Sequence, residues 1–406
     1  MKNNIFQLNE NVVLVAGMKR GAVYDFTTKK VYSINEDALQ FLVTLLHENK
    51  DVYDSSEVNY LLDLEKKGLL FSGRKIKIFK QPVKRSLKLK FTWLELTERC
   101  NERCLHCYEE FESRERATDE MKLEKWKSIL DELTKIGCSK IQFIGGEPLL
   151  YNGINALIEY ANKLNFDEIT LFTNAVLLDE KQIEFLQKNK VRVRVSLYAH
   201  SAGIHDAITQ VKGSFDKTVA NLKLLKMHEV PTSIAVIIMK ENQDFIEETK
   251  SFIESIGHKY NGYDVIRQVY GGRQQPHLPT RNDVIDSRVK KEANFVADKK
   301  FFEKALHHNT CWSGKFAITS SGEIIPCIFA RDIVIGDLNK QSIDEILASE
   351  ILAKYWNLSK DFVDKCKDCE YRYCCKDCRP LGIARDGNLY SKQSRCTYNP
   401  MSGEWE

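Results

Sequence analysis

No stretch of this 406-residue chain approaches the roughly 20 consecutive apolar residues that a membrane-spanning helix needs. The opening, Met-Lys-Asn-Asn-Ile-Phe, also lacks the apolar run of a secretory signal, so a cytoplasmic protein with no membrane partner is expected. An excess of one charge is missing too. The 60 lysines and arginines face 57 aspartates and glutamates, a formal net of +3, too balanced for a general polyanion binder, and nucleic acid is not expected as a partner. Neither an internal repeat nor a low-complexity tract is present, and 43% hydrophobic content at this length supports two or three domains and excludes a mainly disordered chain.

What the chain has in quantity is cysteine. Twelve thiols in a reducing compartment more often bind metal or do redox chemistry than form disulfides. Cys100, Cys104 and Cys107 make C-x3-C-x2-C. Cys311 and Cys327 follow a long gap that holds only Cys138, then come Cys366, Cys369, Cys374, Cys375 and Cys378, and last Cys396.

Between these groups the pattern divides the chain into three parts. Residues 1–85 carry short β-rich runs at Val12–Ala16, Ala22–Phe26 and Val31–Ile34, then two helical patterns. The first is capped by Asn35 and runs through Leu39, Leu42 and Leu45; the second starts at Ser55-Ser56 and runs through Leu61, Leu64 and Leu69. A basic stretch from Lys75 to Lys90 reads as a linker. Residues 86–300 alternate apolar strands with amphipathic helices, which predicts an α/β fold of right-handed βα units. The six strands expected are Phe91–Leu96, Lys140–Ile144, Glu168–Thr173, Arg192–Leu197, Ser233–Met239 and Tyr263–Arg267, with helices such as Met121–Ile136 and Lys181–Asn189 between them. Six units fall short of a closed eight-fold barrel, so a partial (β/α)6, TIM-like barrel open on one side is predicted. Residues 301–406 lose this periodicity, as a segment folded around metal would.

The first cysteine group follows the first of these strands, at the end of a βα unit where such barrels build their sites. Three thiolates hold three irons of a four-iron cluster and leave one iron for an outside molecule. Structural zinc is the alternative, but it usually takes four ligands in C-x2-C pairs, and no second pair lies nearby. His106, wedged between two cysteines, is expected to be solvent-side or internally satisfied. Farther on, Gly145-Gly146-Glu147 ends the second strand. Its glycines would let a ligand approach the backbone, and its carboxylate can accept from an ammonium group.

The segment Cys100-Asn101-Glu102-Arg103-Cys104-Leu105-His106-Cys107-Tyr108 resembles the signature of the radical S-adenosylmethionine (radical SAM) superfamily. The resemblance implies that the open iron chelates the amino and carboxylate groups of S-adenosylmethionine, whose reductive cleavage gives a 5′-deoxyadenosyl radical that takes hydrogen from substrate. It places Tyr108 against the adenine, makes Gly145, Gly146 and Glu147 the family's GGE motif with Glu147 on the methionyl amine, and sets Thr173, Asn174 and Ser196 at strand ends that touch the methionyl and ribose groups. An arginine that many relatives carry after His205-Asp206 is absent, leaving Thr209, Lys212 or Arg267 as candidates for the carboxylate.

The C-terminal cysteines resemble the SPASM domain of radical SAM maturases, which implies two auxiliary four-iron clusters and three [4Fe-4S] clusters in all. Cys366, Cys369, Cys375 and Cys396 would hold the outer one; Cys311, Cys327 and Cys378 the inner one, with a histidine or a free iron completing it. Zinc ribbons suit these spacings poorly. Cys138 and Cys374 are left over. Gly21 to Phe26 and Val31 to Asn35 resemble the winged-helix-like, α+β peptide-recognition element of enzymes that modify ribosomally made peptides. A leader would then add as a strand to the edge of Val31–Ile34. The three parts together predict a maturase that forms a cysteine thioether in a precursor peptide and takes electrons from a flavodoxin or ferredoxin. Carbon–carbon crosslinking, formylglycine formation, and a non-catalytic electron carrier or peptide scaffold are the alternatives.

Overall fold

The computed structural model describes residues 6–48, 54–72, 87–108, 120–267, 275–284 and 295–405. Most of the predicted linker, 75–86, lies outside them. The chain divides into two compact units: Met1–Ser86 with Ser287–Cys311 and Asn357–Glu406, and Leu87–Asp286 with Trp312–Trp356.

In the first unit, β1 (Phe6–Leu8) pairs with β5 (Leu70–Ser72), and β2 (Val12–Ala16), β3 (Gly21–Asp25) and β4 (Lys30–Ile34) form an antiparallel meander. Asn35 accepts from the Ala38 N–H at 3.0 Å and starts the helix Glu36–Glu48, as expected. The second helix starts at Ser55, as expected, and runs to Lys66, capped by Asp54 in a capping box with Glu57. Leu39, Leu42, Leu45, Leu61 and Leu64 pack on Val12 and Val23 as one core. β3 is buried along its whole length because its other face is covered as well. Tyr24 meets Phe302 edge to face at 5.4 Å, and its hydroxyl donates to the Glu370 carbonyl at 2.9 Å. Arg372 donates to the Ala16 carbonyl at 2.7 Å. The front strands thus share a core with the helix Lys299–His307 and the cysteine-rich segment.

The second unit is a nine-stranded sheet in the order β11-β10-β9-β8-β7-β6-β12-β13-β14. The six expected strands are β6 (Phe91–Glu95), β7 (Lys140–Ile144), β8 (Glu168–Thr173), β9 (Arg192–Ser196), β10 (Thr232–Ile238) and β11 (Tyr263–Val265), all parallel. The helices Leu123–Lys135 and Glu180–Lys188 fall within two residues of their predicted bounds. A seventh parallel strand went unanticipated: β12 (Lys315–Ile318) pairs with β6, with Lys315 opposite Phe91, and leads into antiparallel β13 (Glu323–Ile325) and β14 (Gly336–Asp337).

Alternation along the strands sorts the side chains. Leu94, Phe143, Leu171 and Val193 pack under helices with Trp126, Ile129 and Leu157. On the other face Trp93, Ile144, Phe172, Ala317 and Ile325 form a second apolar layer that Tyr108 and Phe329 join. Parallel strands bring all their C-terminal ends to one rim, and the cysteine loop leaves from that rim.

Candidate active site: three thiols on the rim of a parallel sheet

The cysteine loop is held down by backbone contact with the end of β7. Gly146 N–H donates to the Thr97 carbonyl and Glu147 N–H to the Arg99 carbonyl, both at 2.8 Å. A side chain on Gly145, whose φ is +152°, would start 2.4 Å from the Thr97 oxygen, and one on Gly146 would start 2.3 Å from the Arg99 oxygen. The sequence assigned this freedom to the approach of a ligand. In the structure the glycines first admit the loop itself. Arg99 then clamps Glu120 through Nε at 2.9 Å and Nη2 at 3.1 Å, and Leu105 and Arg103 donate to the carbonyls of Ile208 and Thr209.

Glu147 is fully buried behind the glycines. Its Oε1 accepts from Thr173 Oγ1 at 2.7 Å and from Leu149 N–H at 3.1 Å, and its Oε2 from Asn174 N–H at 2.9 Å. Burial pushes its carboxyl up to about 7, and those three donors oppose the rise. The carboxylate therefore fixes the end of β8, where Asn174 Nδ2 reaches Asn101 Oδ1 at 2.8 Å and stands 4.0 Å from Cys100 Sγ.

Cys100, Cys104, Cys107, Tyr108, Gly145, Gly146, Thr173, Asn174 and Ser196 all line one pocket. Glu147 is the one expected cofactor contact outside its lining, one layer behind. Tyr108 packs edge to face on Phe329 at 5.2 Å, with Arg331 over its ring at 5.9 Å. His106 is half-buried. It lines the pocket, Nδ1 makes no hydrogen bond, its ring meets Tyr198 at 4.6 Å, and burial pushes it down to about 4. Of the three carboxylate-binding candidates only Arg267 lines the pocket, bonded to Asp264 at 2.6 Å and lying over Phe329 at 4.6 Å. Thr209 is spent on Ser214 at 2.7 Å, and Lys212 is exposed.

Sequence reasoning passed over Glu95 and Arg331. Glu95 is 2% exposed and takes both oxygens to Arg331 Nη1 at 2.8 Å. Period-two alternation with Phe91 and Trp93 could have flagged Glu95 as inward-facing.

The donor set suits an iron–sulfur cluster: thiols on one pocket wall, an amide within reach of Cys100, and a buried Glu102 whose carboxyl burial pushes up to about 8 beside Cys104. Among the described residues no three His, Cys, Asp or Glu side chains gather closely enough for a single ion. Ligands of a multi-iron cluster stand apart by the width of the cluster itself, so this spacing is no obstacle to one.

In the first unit Cys366, Cys369, Cys375 and Cys396 belong to the segment after Asn357. Burial pushes the Cys366 thiol up to about 11 and raises Cys369 and Cys396 as well, with Cys375 adding to all three rises through its charge. Of the proposed inner set, Cys311 and Cys378 lie in the first unit and Cys327 in the second. Cys138 is buried and bonded to Thr92 at 3.5 Å, as an inert thiol should be.

Three thiols on the rim of a parallel sheet are an arrangement suited to an iron–sulfur cluster. Residues 94–253 match the radical SAM superfamily, and residues 311–379 match the SPASM iron–sulfur cluster-binding domain. The chain thus carries a radical SAM domain and, after it, a SPASM domain. AlbA, the antilisterial bacteriocin subtilosin biosynthesis protein of Bacillus subtilis, is 27% identical over 319 residues, 75% of this chain and 70% of its own. An AdoMet-dependent heme synthase of Oleidesulfovibrio alaskensis is 22% identical over 339 residues, 75% of this chain and 86% of its own. Streptococcus suis SuiB bound to precursor peptide SuiA shares the fold with a TM-score of 0.58 at 15% identity, over 96% of this chain and 99% of SuiB. SuiB bound to S-adenosylmethionine gives 0.55 over the same shares of the two chains, also at 15% identity. No helix of the described residues is long and apolar enough to cross a membrane.

Proposed function

We propose that this enzyme matures a ribosomally made peptide by forming a thioether between a cysteine sulfur and a carbon of another residue. The observation that carries the reading is the single pocket shared by Cys100, Cys104, Cys107, Tyr108, the glycine pair and the ends of β8 and β9. Cys100, Cys104 and Cys107 would hold a four-iron cluster there, which would supply the electron for reductive cleavage of S-adenosylmethionine and so the means to take hydrogen from the peptide. The chain's own residues bind and orient. Gly146 and Arg99 hold the thiol loop and Glu147 holds Thr173 and Asn174, at what would be the methionyl end; Tyr108 would flank the adenine, and Arg267, the candidate that lines the pocket, would meet the carboxylate.

The chain works in three parts: 1–85 for the leader, 86–300 for the radical, and 301–406 for two auxiliary clusters, held by Cys366, Cys369, Cys375 and Cys396 and by Cys311, Cys327 and Cys378. A leader strand has a place to add, since among the described residues β4 pairs on one side only, with β3. AlbA, by its name a bacteriocin biosynthesis protein, and SuiB, solved with a precursor peptide, favour a peptide substrate. The electrons come from a flavodoxin or ferredoxin.

Anaerobic incubation of reconstituted enzyme with reductant, S-adenosylmethionine and a cysteine-bearing precursor tests this. Release of 5′-deoxyadenosine with loss of two hydrogens and of one free thiol is expected. Cleavage that leaves the thiol free would overturn the thioether. The heme synthase relative favours a second reading, a substrate of heme synthesis, and turnover that ignores the leader would point there.

A further inference from the structure

Lys360 is an ammonium 5% exposed, on a single turn, Lys360–Phe362, capped by Ser359. A buried cation requires an anion. The carboxylates of this region make their hydrogen bonds elsewhere, although the charge of Asp377 is felt at Lys360. Asp377 is held by Arg379 through Nε at 2.6 Å and Nη2 at 2.7 Å, and by Asn309 at 2.9 Å. Asp361 accepts from Arg372 at 3.0 Å and from the Tyr373 hydroxyl at 2.9 Å, which fastens the turn to the cysteine loop. The contact left to Lys360 is with sulfur: Nζ donates to Cys375 Sγ at 3.0 Å.

We propose that Lys360 is a positioning residue for the outer auxiliary cluster, its ammonium bonded to the Cys375 thiolate so that the one-electron-reduced cluster is stabilised and the site accepts electrons more readily. The inference rests on the proposed ligation by Cys366, Cys369, Cys375 and Cys396. Hydrogen bonds and positive charge at a cluster sulfur favour the state that carries one more negative charge. No proton moves and no bond changes; the lysine shifts an equilibrium between two oxidation states.

The test is a redox titration followed by electron paramagnetic resonance, in reconstituted full-length enzyme whose Cys100, Cys104 and Cys107 are replaced by alanine. The outer cluster's signal is identified as the one lost on Cys366→Ala. With Lys360→Met, the reduced-to-oxidised ratio of that signal at the unsubstituted lysine's midpoint should fall about tenfold, since a unit charge at this range acts strongly in a protein interior. Lys360→Arg should restore the midpoint. If Lys360→Met fails to assemble the cluster, Lys360→Gln, close in length and without charge, should show the same fall. An unchanged midpoint in Lys360→Met, or in Lys360→Gln where that variant is needed, overturns the inference. Absence of any Cys366-dependent signal in the parent overturns the ligation on which it rests, a separate outcome.

Discussion

The carbonyl oxygen of Arg99 stands 2.3 Å from where a side chain on Gly146 would begin, so the second glycine of the GGE motif and the base of the thiol loop occupy one another's space. A binding motif and a structural joint coincide here. Substitutions in the motif therefore act on the loop before they act on a ligand.

Gly146→Ala should displace the loop. Overpacking of this kind costs about 1–3 kcal/mol. The melting temperature should fall, and iron at the Cys100–Cys104–Cys107 site should be lost while auxiliary iron stays. Iron quantification with spectroscopy checks it, and full iron at native stability would contradict the close approach.

Glu147 titrates near neutrality because burial opposes its charge. Its folded pKa, about 7, lies above the ordinary 4.5, so ionising it costs stability, and that cost grows as pH rises from about 4.5 to about 7. Binding should run the other way. With Oε1 accepting from Thr173 and Leu149, a proton on Oε2 displaces the Asn174 N–H, so affinity for S-adenosylmethionine should weaken as pH falls from about 8 to about 6. Calorimetric titration of Glu147→Gln should give weaker binding with a flat profile over the same range; a slope equal to that of the parent would assign the titration to another group.

Arg331→Met should strand the Glu95 carboxylate in the sheet interior. Removing one partner of a buried pair costs about 3–5 kcal/mol, and the lower figure fits an arginine still 26% exposed. Burial already raises the Glu95 carboxyl, with Arg331 opposing it, so the variant should raise it further. The lost stability should shrink as pH falls and Glu95 is protonated. Melting at about pH 5 and about pH 8 checks the sign.

Leader dependence is the fourth expectation. A precursor stripped of its leader should be modified about ten- to a hundredfold more slowly, because tethering raises the local concentration of the core segment. Separate leader peptide should recover little of that rate. Mass spectrometry of timed samples measures it, and equal rates would remove the recognition role from residues 1–85.

The six strands of the radical domain were legible because period-two apolar runs bounded by polar caps are local signals, and Asn35 announced its helix in the same way. The thiol loop was legible from spacing alone. β12 was not, since Lys-Phe-Ala-Ile is a short run whose partner lies more than two hundred residues earlier. Glu147 was found by motif, yet its inward-turned oxygens depend on Thr173, Leu149 and Asn174, contacts that no local pattern encodes. The Glu95–Arg331 pair and the sulfur contact of Lys360 are likewise long-range in the chain or hidden among cysteines.

Because β12 lies directly against β6, the strand that carries the thiol loop keeps one edge bare during synthesis until residue 318 has left the ribosome. A nascent chain of some three hundred residues holds its first three iron-binding sulfurs beside an open template for foreign strands. Iron delivery to this enzyme is thus best timed late, and truncated products should gather in inclusion bodies rather than carry a functional first cluster.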